Sequence, residues 1–269
     1  MVSSKNVRFR VGITGHRDIP QADFEAADKR SREFLSALQS SMPDTIITVL
    51  CGLADGADRI FAKAALSLNI SVEAVLPMPL ALYKNDFDST SLSDLDEILN
   101  SELVECIELP LNVGLGDDES VWPEGSRSKL YLNLSNDLRD RSNILVAFWD
   151  GKHNNKAGGT ADTVLRFLQA SPSDNASEID IINADGANLD GQAVVYWIPS
   201  RRRASQDIVM RHTESVWLSA YGSKFRQWDD TPRDFALQLD EFNQFNQTHH
   251  TLDESNSLTS YGDLLEGCS

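Results

Sequence analysis

The feature that most constrains this chain is an alternation. Short apolar runs of strand length are followed repeatedly by stretches whose apolar residues recur at helical spacing. Runs at 8–14, 45–51, 70–76, 104–109, 144–149 and 194–198 read as strands, rich in β-branched and aromatic residues. Between them lie helical stripes. The clearest carries Ala57, Ile60, Phe61, Ala64, Ala65 and Leu68, and others carry Phe34, Leu35 and Leu38, or Leu130, Tyr131, Leu134 and Leu138. Parallel neighbours need a long crossover, usually a helix. The alternation therefore predicts an α/β fold: a doubly wound, mostly parallel sheet of about six strands with helices on both faces, Rossmann-like in outline.

The run at 144–149 is apolar throughout, which places it at the sheet centre. Pro77-Met78-Pro79 stops the third strand, and Tyr83, Asp86 and Phe87 after it read equally as a lid or as a packed loop. Residues 171–191 are polar and read as a surface excursion. Past residue 200 the pattern weakens, although Phe235, Leu239 and Phe242 share a helix face and Trp217 and Trp228 imply packing. The division expected is 1–200 for the Rossmann-like domain and 201–269 for a partly helical extension. Its polar tail reads as disordered or as leading towards a further, effector domain.

Bulk properties narrow the function classes. Three widely spaced cysteines with no CxxC pair, and no HExxH spacing, point to a reducing compartment and to no metal site. With no apolar stretch long enough to span a bilayer, the expected location is cytoplasmic, with no membrane partner. A formal net charge of -17 makes nucleic acid an unlikely partner by this reading. Arg201-Arg202-Arg203, the one basic run, reads as a solvated loop.

Three turns at strand ends carry the chemistry. In open parallel sheets, ligands sit beyond the carboxyl ends of the strands where strand order reverses. The first turn, Thr14-Gly15-His16-Arg17, offers a hydroxyl, a tight bend and polar groups suited to an anion. The second, Gly52-Leu53-Ala54-Asp55-Gly56-Ala57-Asp58, runs into a strong helix whose start can hold a phosphate, with Asp55 a cap or a ligand contact. The third follows the fifth strand: Asp150 ends it, and Gly158-Gly159-Thr160 opens the next helix with Asp162 in its first turn. Bare amides there suit a phosphate, while Asp150 and Asp162 suit ribose hydroxyls or a base. The spacing matches neither GxGxxG nor a Walker A loop.

These motifs together resemble the SLOG superfamily, which includes the LOG phosphoribohydrolases, the DNA-processing protein A family and sensor domains of bacterial defence systems. The resemblance rests on GITGHR at 12–17, CGLADGAD at 51–58, AVLPMP at 74–79 with YKNDF at 83–87, and the stretch from RSNILVAFWDG to GGTAD over 141–162. It covers about residues 8–200. It implies a Rossmann-like nucleotide-binding fold, often a homodimer, with ligand contacts at Gly15, His16, Arg17, Gly52, Ala54, Gly56, Asp58, Gly158, Gly159, Thr160 and Asp162. The LOG enzymes carry PGGxGTxxE; here Thr163 stands at the glutamate position and Leu134 where they place an arginine.

Two readings follow, beside a third, DNA handling by analogy with the DNA-processing branch, that the net charge disfavours. One is a sensor or regulatory module for a nucleotide or an ADP-ribose-like ligand, with no resident cofactor. The other is an N-glycosidic hydrolase of the phosphoribohydrolase type, with Asp162 or Asp58 as the catalytic carboxylate.

Overall fold

The computed structural model describes residues 7–112, 114–116, 118–153, 156–170, 180–184, 189, 191–203 and 214–262, with backbone alone over 249–262. The expected alternation appears as β1 (Phe9–Gly15), α1 (Phe24–Ser41), β2 (Ile47–Cys51), α2 (Ala57–Ser67), β3 (Ser71–Leu76), a one-turn α3 (Leu80–Tyr83), α4 (Ser89–Leu99) and β4 (Val104–Glu108). It continues through α5 (Ser126–Arg141), β5 (Ile144–Trp149), α6 (Thr160–Leu168), β6 (Ile181–Asn183) and β7 (Val195–Pro199). An antiparallel hairpin of β8 (Val216–Tyr221) and β9 (Lys224–Trp228) follows, and α7 (Arg233–Gly262) ends the described chain.

The sheet is mostly parallel with helices on both faces, but it has nine strands rather than about six, in the order β4-β3-β2-β1-β5-β7-β8-β9-β6. The extra three lie where the alternation fades. β8 adds antiparallel to β7, β9 to β8, and the short β6 runs parallel to β9 at the edge. Gly222, at φ +61°, turns the hairpin.

The first four strands step outward from β1 to β4, and the chain then crosses back to set β5 on the other side of β1. Strand order reverses there, so a crevice opens beyond the carboxyl ends of β1 and β5. Burial on both faces follows from the residues: all six positions of β5 and all five of β2 are buried. Ile144, Val146 and Phe148 join the core under α1 and α2, while Leu145, Ala147 and Trp149 face α6.

Beneath the sheet, α7 returns to the first strands. Phe235 and Leu239 enter the main core, and Phe242 meets Phe9 edge to face at 5.3 Å. Asn246, wholly buried, accepts from Val7 N–H at 3.0 Å and donates to Val7 C=O at 2.9 Å. No helix among the described residues is long and apolar enough to cross a membrane.

Candidate functional site

A cleft of about 510 Å³ lies at the β1–β5 reversal. Its walls come from the turn after β1, the loop into α6 and the inward face of α5. Of the residues singled out from the sequence, Thr14, Gly15, His16, Arg17, Ala54, Asp58, Gly158, Gly159 and Thr160 line it. Gly52, Gly56, Asp150 and Asp162 are not among its lining residues.

The first two turns lock together. Gly56 adopts φ +75°, and a Cβ there would sit 2.5 Å from the Arg17 carbonyl oxygen. Ala57 N–H donates to His16 C=O at 3.1 Å. The first amide of α2 is thus spent on the neighbouring turn rather than left open for a phosphate. Gly15 is also a packing glycine: its Cβ would lie 2.3 Å from Ala57 Cβ and 2.8 Å from Phe148 Cβ. The resemblance placed both glycines at ligand contacts, whereas here chain approaches chain.

His16 is buried, with Nε2 3.1 Å from Asp150 Oδ1 and 3.1 Å from the Asp150 backbone nitrogen. A neutral Nε2 accepts from the amide, and a protonated one donates to the carboxylate. Burial acts to raise the Asp150 pKa, but the His16 contact and the Lys152 amide outweigh it and hold the carboxyl below its usual range.

Asp58, in the first turn of α2, reaches back so that Ala54 N–H donates to Oδ2 at 3.2 Å. Only 8% of the residue is exposed. Burial pushes its pKa up to about 7, against the pull of the Ala54 amide, Arg17 and Arg59. The Arg59 guanidinium is held elsewhere, 2.9 Å from Asp55 and donating to Leu53 C=O at 3.0 Å.

The third turn is built differently. Gly158, at φ +71°, presses against α5, where a Cβ would lie 2.8 Å from Leu132 N. Asp162 Oδ2 accepts from Gly158 N–H at 2.8 Å and pairs with Arg166 at 2.9 Å, so it braces its own loop. Gly159 N–H donates to Lys156 C=O at 3.0 Å. The amides of Thr160 and Ala161 carry no hydrogen bond among the described residues, and no side chain caps α6. They are the orphan donors of a helix start, beside the cleft.

The far wall was not legible as a site. Tyr131 and Leu134 of α5 read as core, yet both line the cleft with Arg127 and Ser135. Ser135 Oγ sits 2.8 Å from Thr163 Oγ1 and ties α5 to α6. Arg127 is committed to Asp86 and, at 2.8 and 2.9 Å, to Glu119. The Arg17 guanidinium lies over the Tyr131 ring, 5.0 Å from its centre, and has no carboxylate within ion-pair distance among the described residues. Tyr131 donates to Asp86, and its pKa is raised to about 12, chiefly by burial. Arg202, expected in a solvated loop, lines the cleft while pairing with Asp18 at 2.9 Å. Between lid and packed loop, the segment after Pro79 is the packed loop: Tyr83 is fully buried and donates to Gly52 C=O at 2.8 Å.

No family model matches the sequence, and no curated protein matches it. Among solved structures the chain is similar to DNA processing protein A (DprA) from Streptococcus pneumoniae, with 14% identity and a TM-score of 0.39 over 68% of this chain and 53% of that one. It therefore spans about half the length of that protein. It is also similar to DNA processing protein A from Helicobacter pylori, described for its single-stranded DNA binding mode (17%, TM-score 0.35, 63% and 68% covered). The third is the Moco carrier protein of Chlamydomonas rheinhardtii (16%, TM-score 0.25, 52% and 61% covered).

One expectation is corrected here. Net charge was taken to make nucleic acid an unlikely partner, but the Helicobacter pylori neighbour is described by its single-stranded DNA binding. The physical error lies in applying a sum over the whole surface to one cleft. Arg17, Arg127, Lys156 and Arg202 line this one beside Asp18, Asp58 and Asp86, so its local balance of charge differs from the net -17 of the chain.

Proposed function

We propose that this chain is a SLOG-like binding module that takes a nucleotide or nucleotide-derived small molecule into the β1–β5 cleft. Its phosphate would rest on the Thr160 and Ala161 amides. One observation carries this reading: the first-turn amides of α6, unpartnered among the described residues, sit beside a cleft of about 510 Å³ at the point where strand order reverses. A volume in this range suits a small-molecule site. Arg17, with no carboxylate partner among the described residues, adds a positive charge to the cleft lining.

Binding without turnover is the favoured mode. Asp162, one of two carboxylates considered for glycosidic hydrolysis, is held by Gly158 and Arg166 and does not line the cleft. Calorimetry with AMP, 3′,5′-cyclic AMP, ADP-ribose and inorganic phosphate tests the proposal. Saturable binding of at least one nucleotide, without release of free base, supports it. Absence of binding by all four overturns it, and release of adenine from AMP makes the chain a hydrolase.

A further inference from the structure

We infer that Asp58 meets the bound anion as a protonated carboxyl, donating its O–H to an anionic oxygen, so that ligand and proton are taken up together. This inference rests on the proposed nucleotide site and adds the group that controls its affinity.

The geometry is specific. Asp58 lines the cleft although it is only 8% exposed, so its side chain is buried except where it faces the ligand space. One carboxyl oxygen is fixed by the Ala54 amide at 3.2 Å. The other has no hydrogen-bond partner among the described residues and is not sealed from solvent, which leaves it turned to the cleft. A carboxylate there would repel a fully ionised phosphate, which has no proton to give it. A carboxylic acid has a donor to give.

The groups around Asp58 come from each packed element. Arg17 from the turn after β1 and Arg59 on α2 favour the charged form, and Asp55 before α2 opposes it. The Cys51 thiol at the end of β2 and the Tyr83 hydroxyl on α3 are both buried and held neutral. Burial outweighs the two arginines, so the acid form persists to about pH 7. His16 lines the same cleft and must be separated by experiment.

The sign is fixed by linkage. An anion that prefers the protonated site raises the Asp58 pKa further, so binding draws in a proton and affinity falls as pH rises past neutrality. The limit is about tenfold per pH unit for one coupled proton.

The test uses sulfate and ADP-ribose, whose charges do not change across neutral pH. Their affinities are measured from about pH 6 to about pH 8.5, in buffers of differing ionisation enthalpy. Affinity is expected to fall above pH 7, with proton uptake approaching one per ligand at the alkaline end. Asp58→Asn, which keeps an acceptor for the Ala54 amide and offers an N–H donor, is expected to bind both probes with little pH dependence. A flat profile in the unaltered protein, or no proton uptake at the alkaline end, overturns the inference. A pH dependence that persists in Asp58→Asn assigns the effect to another group and also overturns it. Either result leaves nucleotide binding standing, whereas failure of every probe to bind removes both proposals.

Discussion

Replacing Thr160 with proline removes one backbone donor from the proposed phosphate seat and leaves the fold nearly untouched. Thr160 is the first residue of α6, where a helix tolerates proline because the N–H has no intrahelical acceptor. The preceding Gly159, at φ -84° and ψ 170°, already holds the extended conformation that proline imposes on its neighbour. Stability should therefore change by less than about 1 kcal/mol. A hydrogen bond from an amide to a charged oxygen contributes about 1.5–3 kcal/mol, or roughly 10- to 150-fold in Kd. Thr160→Ala separates the hydroxyl from the amide, since it keeps the N–H. Calorimetry with ADP-ribose on both variants, beside thermal unfolding, gives the comparison. Equal affinity in Thr160→Pro and Thr160→Ala would refute the claim that this amide holds the ligand.

Three further outcomes follow from the same geometry. Gly158→Ala should destabilise the fold by about 1–3 kcal/mol in denaturant titration, because its φ of +71° and a Cβ 2.8 Å from Leu132 N both oppose a side chain. Tyr83→Phe should lower stability by about 1–2 kcal/mol, since it strips the donor from a buried Gly52 carbonyl without opening a cavity. Asp58 has its pKa raised from 3.8 to about 7 on folding, so its stabilising effect is whole below pH 3.8 and is lost as pH rises towards 7. Asp58→Asn should accordingly match the unaltered protein near pH 3.5 and exceed it at pH 8 by up to about 4 kcal/mol, read from urea midpoints at the two pH values.

The alternation of β1 to β5 with their helices was legible because burial on both sheet faces demands near-continuous apolar strands. Ile144–Trp149 was located to the residue. The β8–β9 hairpin was missed although its signal was present: apolar flanks around Tyr221-Gly222-Ser223-Lys224, with Gly222 free to turn. At the site, sequence marked the right turns for a partly wrong reason. A glycine needed for ligand approach and one needed for chain approach look alike in a string of letters, and Gly15, Gly56 and Gly158 are of the second kind. The α5 wall was hidden because a helix that supplies Leu134 to the core also presents Tyr131 and Ser135 to the cleft. Arg202 comes from a segment far along the chain, and only the folded sheet brings it beside Asp18.

Amide-resolved NMR of the labelled protein, titrated with ADP-ribose, tests the central claim most directly. The account predicts saturable shifts largest at the Thr160 and Ala161 amides, with Gly15, His16 and Arg17 moving in parallel. Saturable shifts centred elsewhere, with those amides still, would contradict it.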